Sequence, residues 1–408
     1  MQATPRRRLV SIQGPAEPPY ASTFARERFM KTPSRWAPRF LYAAALAILP
    51  ACTGENEAAL PRASDGEIVR GGDDRAGEYL GVADWWKPAP NHDETWHWGQ
   101  VAGVAADTPD RILAVTWGDM NAQGEVRQPS SNMIVAADRN GNITEVWTQW
   151  DSILNWPHQI YVDPYDPARP VWVVERGGGG PYMQVLKFSN DGSELLLRIG
   201  DTPIPQTQEE ARANPDPAPY SYGQPAVLAF FPNGDFLLGD GYWNSRILRY
   251  DRDGNFLMKW GSQGTGPGQF DVVHGLAIDS QRRVYVADRS NSRVQVFSEE
   301  GEFIAVWPDI LSPAGLYIDE SDAVWVVDRV LNRILKYDTE GRLQYHWGTY
   351  GGTSGGFAGG MLRPHQIDVD QEGNVYVANF DGGSVGKFVP KPGADPAKLL
   401  GPRMLPPR

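Results

Sequence analysis

Cysteine is almost missing from this chain: Cys52 is the only one in 408 residues, so no intrachain disulfide can form. Basic residues are also scarce, with 38 Lys and Arg against 50 Asp and Glu for a formal net charge of -12. Eight of the basic residues and two of the acidic ones fall in residues 1–51, which leaves the remainder at -18. A body this acidic argues against nucleic acid as a partner, because phosphates need a basic surface to displace their counterions. No apolar run reaches the roughly 18 residues of a membrane-spanning helix. Histidine is rare too, at six residues, which makes its placement informative.

The N-terminus does not read as part of a fold. Met30 to Arg35 form a short basic stretch, followed by the apolar run Phe40 to Leu49, as in a signal peptide. The run ends in Leu49-Pro50-Ala51-Cys52, which resembles the bacterial lipobox. The expected organisation is a leader over 1–51, a mature start at lipidated Cys52, a polar tether over 52–78 and one domain over 79–408. Lipid on Cys52 would hold a monomeric domain at a bacterial cell envelope, facing periplasm or exterior and touching membrane only through the anchor.

From about residue 100 the chain cycles through short β-rich runs separated by turn residues, and no amphipathic helix of useful length interrupts them. Four such runs make one unit, clearest from Gly275 to Trp307. Six copies can be laid on it, with first strands starting at Gly103, Gln159, Val227, Gly275, Gly315 and Gln366. Six four-stranded units predict an all-β, six-bladed β-propeller, antiparallel within each blade and closed around a central channel. The Pro-rich stretch from Pro203 to Pro219 is expected as a surface loop over one face. Whether the last blade closes with Ala397 to Leu400 or with Glu78 to Val82 stays open.

Two positions in the repeat carry chemistry. The residue before each first strand reads Ala102, His158, Ala226, His274, Ala314, His365. Alternate blades of a six-bladed ring lie 120° apart, so His158, His274 and His365 can meet at the axis and hold a metal, Zn²⁺ by donor type, with a position left open. His92, His97 and His346 fall outside this pattern. The second position follows each second strand and reads Trp117, Arg176, Gly241, Arg289, Arg329 and Phe380, so arginines should ring the metal. Tyr242, beside Gly241, is placed to overhang the axis, where a cation would lower its pKa and suit it to act as a base.

Several of these segments together resemble the peptidyl-α-hydroxyglycine α-amidating lyase family of NHL-repeat propellers: Gly99 to Ala105, Asp240 to Ile247, Gly268 to Phe270, Val273 to Ala277 and Val286 to Arg289. The resemblance runs from about Gly99 to Phe388. It implies a zinc on His158, His274 and His365, a catalytic base at Tyr242 and a substrate arginine at Arg289. The substrate would be a small peptide ending in α-hydroxyglycine, or a related α-hydroxy-amide, split into an amide and glyoxylate. It also implies a structural Ca²⁺ on the carbonyls of Val104 and Ile160 with an acidic third residue, where this chain has Gln366. The family's second arginine falls on Trp117, and Arg176 or Arg363 is expected to stand in for it. The competing reading is a non-catalytic NHL binding propeller whose metal only pins the ring.

Overall fold

Short β-rich runs, with a turn every few positions, are what the chain uses to build sheets. The computed structural model describes residues 77–178, 182–200, 207–351 and 360–403. The leader, Cys52 and nearly all of the tether lie outside them. Six four-stranded antiparallel sheets stand around a central axis as a six-bladed β-propeller. The first strands, nearest the axis, are Val101–Thr108, Pro157–Val162, Val227–Phe230, Val273–Ile278, Pro313–Ile318 and Pro364–Val369. Each lies against its neighbour's, and the sixth lies against the first.

Burial grades outward. Second strands such as Val171–Glu175 and Val324–Asp328 are buried throughout, and they are nearly continuous runs of Val and Trp. Outermost strands such as Phe256–Trp260 alternate half-buried and exposed residues, because one side meets solvent. Between blades the space is filled by large rings, including Trp172, Trp325 and Trp347, all fully buried.

The ring is closed by the N-terminal segment. Tyr79–Gly81 pairs with Ser384–Pro390 as the outermost strand of blade 6, while Pro396–Lys398 is a single 3₁₀ turn. This settles the question that the sequence left open. The first strands differ from expectation in five blades, where pairing starts two residues earlier and takes the position before Gly103, Gln159, Gly275, Gly315 and Gln366 into the strand. The Pro-rich excursion also contains one short helix, Gln208–Ala213, opened by a capping box between Thr207 and Glu210. Its base is pinned by Arg246, which donates to the carbonyls of Pro217, Ala218 and Ser221.

Closure by three residues makes Tyr79 a test of the ring. Its side chain is fully buried, its ring lies 5.0 Å from that of Trp347, and its phenol accepts from the backbone N–H of Leu400 at 2.7 Å. Tyr79→Ala is expected to cost on the order of 3 kcal/mol, seen as a lower midpoint in chemical denaturation. An unchanged midpoint would show that the ring does not depend on this strand.

Candidate metal centre

Five of the six positions near the axis sit at an irregularity that their blades share, and Ala226 in blade 3, where the pairing is regular, is the exception. In blades 1, 2, 4 and 5 the register between first and second strands skips one residue, and the skipped residues are Ala102, His158, His274 and Ala314. In blade 6 the skip covers His365 and Gln366. A bulge of this kind turns a side chain out of the pleat, here toward the axis. His158, His274 and His365 are buried, and their ring centroids are 4.7 to 4.9 Å apart. They can each offer one nitrogen, all within 4.8 Å of one another, so the three together can hold a metal ion.

The alanines between them set the tautomer. His158 Nδ1 donates to the carbonyl of Ala226 at 2.6 Å, His274 Nδ1 to Ala314 at 2.7 Å, and His365 Nδ1 to Ala102 at 2.6 Å. A carbonyl can only accept, so each Nδ1 carries the proton and each Nε2 presents a lone pair. Burial, joined by the charges of neighbouring arginines and histidines, holds all three imidazoles well below their usual pKa. The rings are therefore neutral at neutral pH, the state in which an imidazole can bind a metal.

Tyr242 stands over this group. Its phenol oxygen is 3.1 Å from His158 Nε2 and 2.9 Å from His274 Nε2, and it accepts from Arg289 Nη1 at 3.2 Å. The guanidinium of Arg176 lies 4.0 Å from its ring centroid. Burial pushes the phenol's pKa up, but the charges of Arg289 and Arg176 outweigh it and the net shift is downward.

The acids that end the second strands are engaged elsewhere, which leaves the arginines that follow three of them free to face the axis. Asp240 pairs with Arg246 at 2.9 Å, Asp288 with Arg293 at 2.8 Å and Asp328 with Arg333 at 3.2 Å. Glu175 instead accepts from the backbone N–H groups of Asn155, Trp156 and Gly177. Burial pushes its pKa up to about 7.

Aromatic side chains occupy the other flank. Trp117 stacks on Trp156 at 4.6 Å and 5°, meets the edge of Phe380 at 4.9 Å, and donates to the carbonyl of Pro157 at 3.1 Å. Phe380 in turn stacks on His365 at 5.3 Å. Sequence reasoning missed Trp156, although an aromatic residue directly before Pro157-His158 was there to be noticed. Arg363 is not brought to the site: it pairs with Asp381 at 3.1 Å and is half exposed.

The calcium implied by the resemblance does not fit. Gln366 donates from Nε2 to the carbonyl of Ile160 at 2.8 Å, and its Oε1 accepts from the backbone N–H of Val104 at 3.2 Å and of Ile160 at 3.3 Å. The amide thus puts a donor where a cation would bind the Ile160 carbonyl and ties blade 6 to blades 1 and 2 directly. The remaining histidines lie away from the axis. His92 bonds Asp119 at 2.8 Å in a buried pair beside Trp98. His97 and His346 are exposed.

Fold and centre together define a six-bladed propeller with a three-histidine site, and residues 270–297 match the NHL repeat. Its relatives include NHL repeat-containing proteins and amidating lyases. Mouse NHL repeat-containing protein 3 is 27% identical over 289 residues, covering 65% of this chain and 79% of the mouse protein. Peptidyl-alpha-hydroxyglycine alpha-amidating lyase 1 of Drosophila melanogaster is 28% identical over 193 residues, 44% of this chain and 32% of the lyase. This chain therefore spans only about a third of that relative's length. Among solved structures, a structural-genomics protein of unknown function from Bacteroides thetaiotaomicron superposes with a TM-score of 0.50 at 15% identity, covering 76% of each chain, which shows the fold alone.

Two outcomes are expected of the centre. Elemental analysis should find that replacing His158, His274 or His365 by Ala sharply lowers metal content, while His346→Ala retains it; equal content in wild type and the triple variant would remove the site. Gln366→Glu should set a carboxylate against the Ile160 carbonyl and create a calcium-dependent rise in melting temperature that wild type lacks. A wild-type rise of equal size would show that Gln366 does not occupy the cation's place.

Proposed function

We propose that the chain is a metal-dependent carbon–nitrogen lyase of the amidating type, converting a C-terminal α-hydroxyglycine peptide, or a related α-hydroxy-amide, to an amide and glyoxylate. The observation that carries this reading is the phenol of Tyr242 held between two histidine Nε2 atoms and Arg289. The fly lyase, 28% identical over the aligned part, supports the reaction class. Three neutral imidazoles fit Zn²⁺, which when bound would act as a Lewis acid and acidify a hydroxyl.

The chain's own residues supply the rest. Arg289 holds the substrate carboxylate and, with Arg176, draws the pKa of Tyr242 below its usual value against the effect of burial. Tyr242 takes the α-hydroxyl proton, the C–O bond becomes the aldehyde C=O of glyoxylate, and the C–N bond breaks. The leaving nitrogen keeps the bond's electrons and regains a proton from the Tyr242 phenol, so the step balances with no oxidant or reductant. Burial of the histidines and the aromatic flank keeps bulk water from this exchange. The same proposal has the protein carried on a lipidated Cys52 at the cell envelope.

A non-catalytic binding propeller is the second reading, and Trp117 favours it, because an indole cannot replace a guanidinium's two parallel bonds to a carboxylate.

Tyr242→Phe should keep fold and metal while lowering glyoxylate release from an α-hydroxyglycine peptide about a hundredfold or more. Arg289→Ala should raise KM as well as lower kcat, and Trp117→Arg should raise activity. No glyoxylate from wild type or Trp117→Arg, with metal bound in both, would leave the binding reading ahead.

A further inference from the structure

Three arginines face the centre, and they are not equivalent. Arg176 directs Nε and Nη2 at Gln224 Oε1, at 3.0 and 2.9 Å, and lays its plane near the Tyr242 ring. Arg289 places Nη1 on the Tyr242 phenol. The side chain of Arg329 has no acceptor among the described residues. Its Nε is buried without a partner, and its guanidinium carbon lies 5.8 Å from the centroid of the Phe380 ring.

Leaving a guanidinium half-buried and unpaired is costly, and other partly buried arginines in this chain have carboxylates. Arg111 has Glu145 at 2.6 Å, Arg249 has Asp235 at 2.8 Å and Arg293 has Asp288 at 2.8 Å. Burial, then the charge of Arg289, lowers the pKa of Arg329 to about 10, and its own charge acts on both His365 and Tyr242. The Phe380 ring that it lies over stacks on His365, so Arg329 is a second cation at the site that Arg289 also faces. Of the two residues expected to replace the arginine lost at Trp117, Arg363 is spent on Asp381, and Arg176 is spent on Gln224 and Tyr242.

We propose that Arg329 is the second guanidinium for a substrate carboxylate, a specificity-determining residue in the place that Trp117 cannot fill, and that the site accordingly takes α-hydroxy carboxylates. The assignment deepens the lyase reading and rests on it for the substrate, while its test does not require turnover. The carboxylate would lie between Arg289 and Arg329, with the α-hydroxyl toward Tyr242 and the histidines. A side chain of the substrate would meet the Trp117–Trp156 stack.

Mandelate is a suitable probe: it carries the hydroxyl and the carboxylate and has no C–N bond to break, and mandelamide is its neutral counterpart. Binding of both can be followed by tryptophan fluorescence in the metal-loaded protein and again in the metal-free protein. Arg329→Gln should weaken mandelate about tenfold or more and leave mandelamide within about twofold. Arg329→Lys should recover part of the loss, and Arg363→Gln should match wild type for both. The proposal is overturned if wild type binds no mandelate, if Arg329→Gln binds it like wild type, or if that variant loses both compounds equally. Unchanged metal content and melting temperature in the variants exclude misfolding. Mandelate binding that depends on Arg329, with no glyoxylate released by wild type, would uphold this assignment and reject the lyase.

Discussion

The centre depends on one repeated hydrogen bond, from a histidine Nδ1 to the carbonyl of the alanine on the next blade. Three such bonds, each 2.6 or 2.7 Å long, run from blades 2, 4 and 6 to blades 3, 5 and 1. They fix the tautomer, aim three lone pairs inward and cross every second interface between blades. This gives a reason for the alternation of His and Ala. A second imidazole ring at Ala102, Ala226 or Ala314 would crowd the axis, whereas alanine gives its carbonyl and takes no room. The bulge makes the arrangement possible, because it turns the residue out of the pleat without ending the strand.

The electrostatics follow from what surrounds those bonds. In a chain of net charge -12, the neighbourhood of Tyr242 is cationic, because the acids at the ends of the second strands are taken up by Arg246, Arg293 and Arg333. Arg176 and Arg289 then act on the phenol without a carboxylate to offset them, and Arg329 adds its charge from blade 5. An anion attracted to the molecule would meet an unfavourable surface and a favourable centre, so selection falls on the short range where hydrogen bonds form.

Much of the ring was legible because its repeat is tight. The distance from Ala226 to Asp240 recurs from His274 to Asp288 and from His365 to Asn379, which puts two of the histidines into one register, and His158 joins them once the longer turn from Pro164 to Pro170 is allowed for. Other features were hidden for physical reasons. The closing strand is only three residues, too short for a periodicity, and it is specified by the burial of Tyr79. The pairing of Asp288 with Arg293 cannot be separated by spacing from one with Arg289, and the strand geometry decides it. Gln366 stands where the resemblance implies an acidic cation ligand, but its amide supplies both donor and acceptor and makes the link itself. The helix at Gln208–Ala213 had announced itself in the capping pair Thr207 and Glu210, and the run was passed over because it is short and Pro-flanked.

The central claim is that three neutral imidazoles with protonated Nδ1 point their Nε2 lone pairs at one ion. It is tested most directly by ¹⁵N nuclear magnetic resonance of the histidine rings, recorded on metal-free protein near pH 7 and again during titration with zinc. The account expects His158, His274 and His365 as Nδ1–H tautomers before zinc, and a shift of all three Nε2 resonances to the metal-bound range at one equivalent. Nε2–H tautomers, an imidazolium among the three, or fewer than three shifted resonances would contradict it.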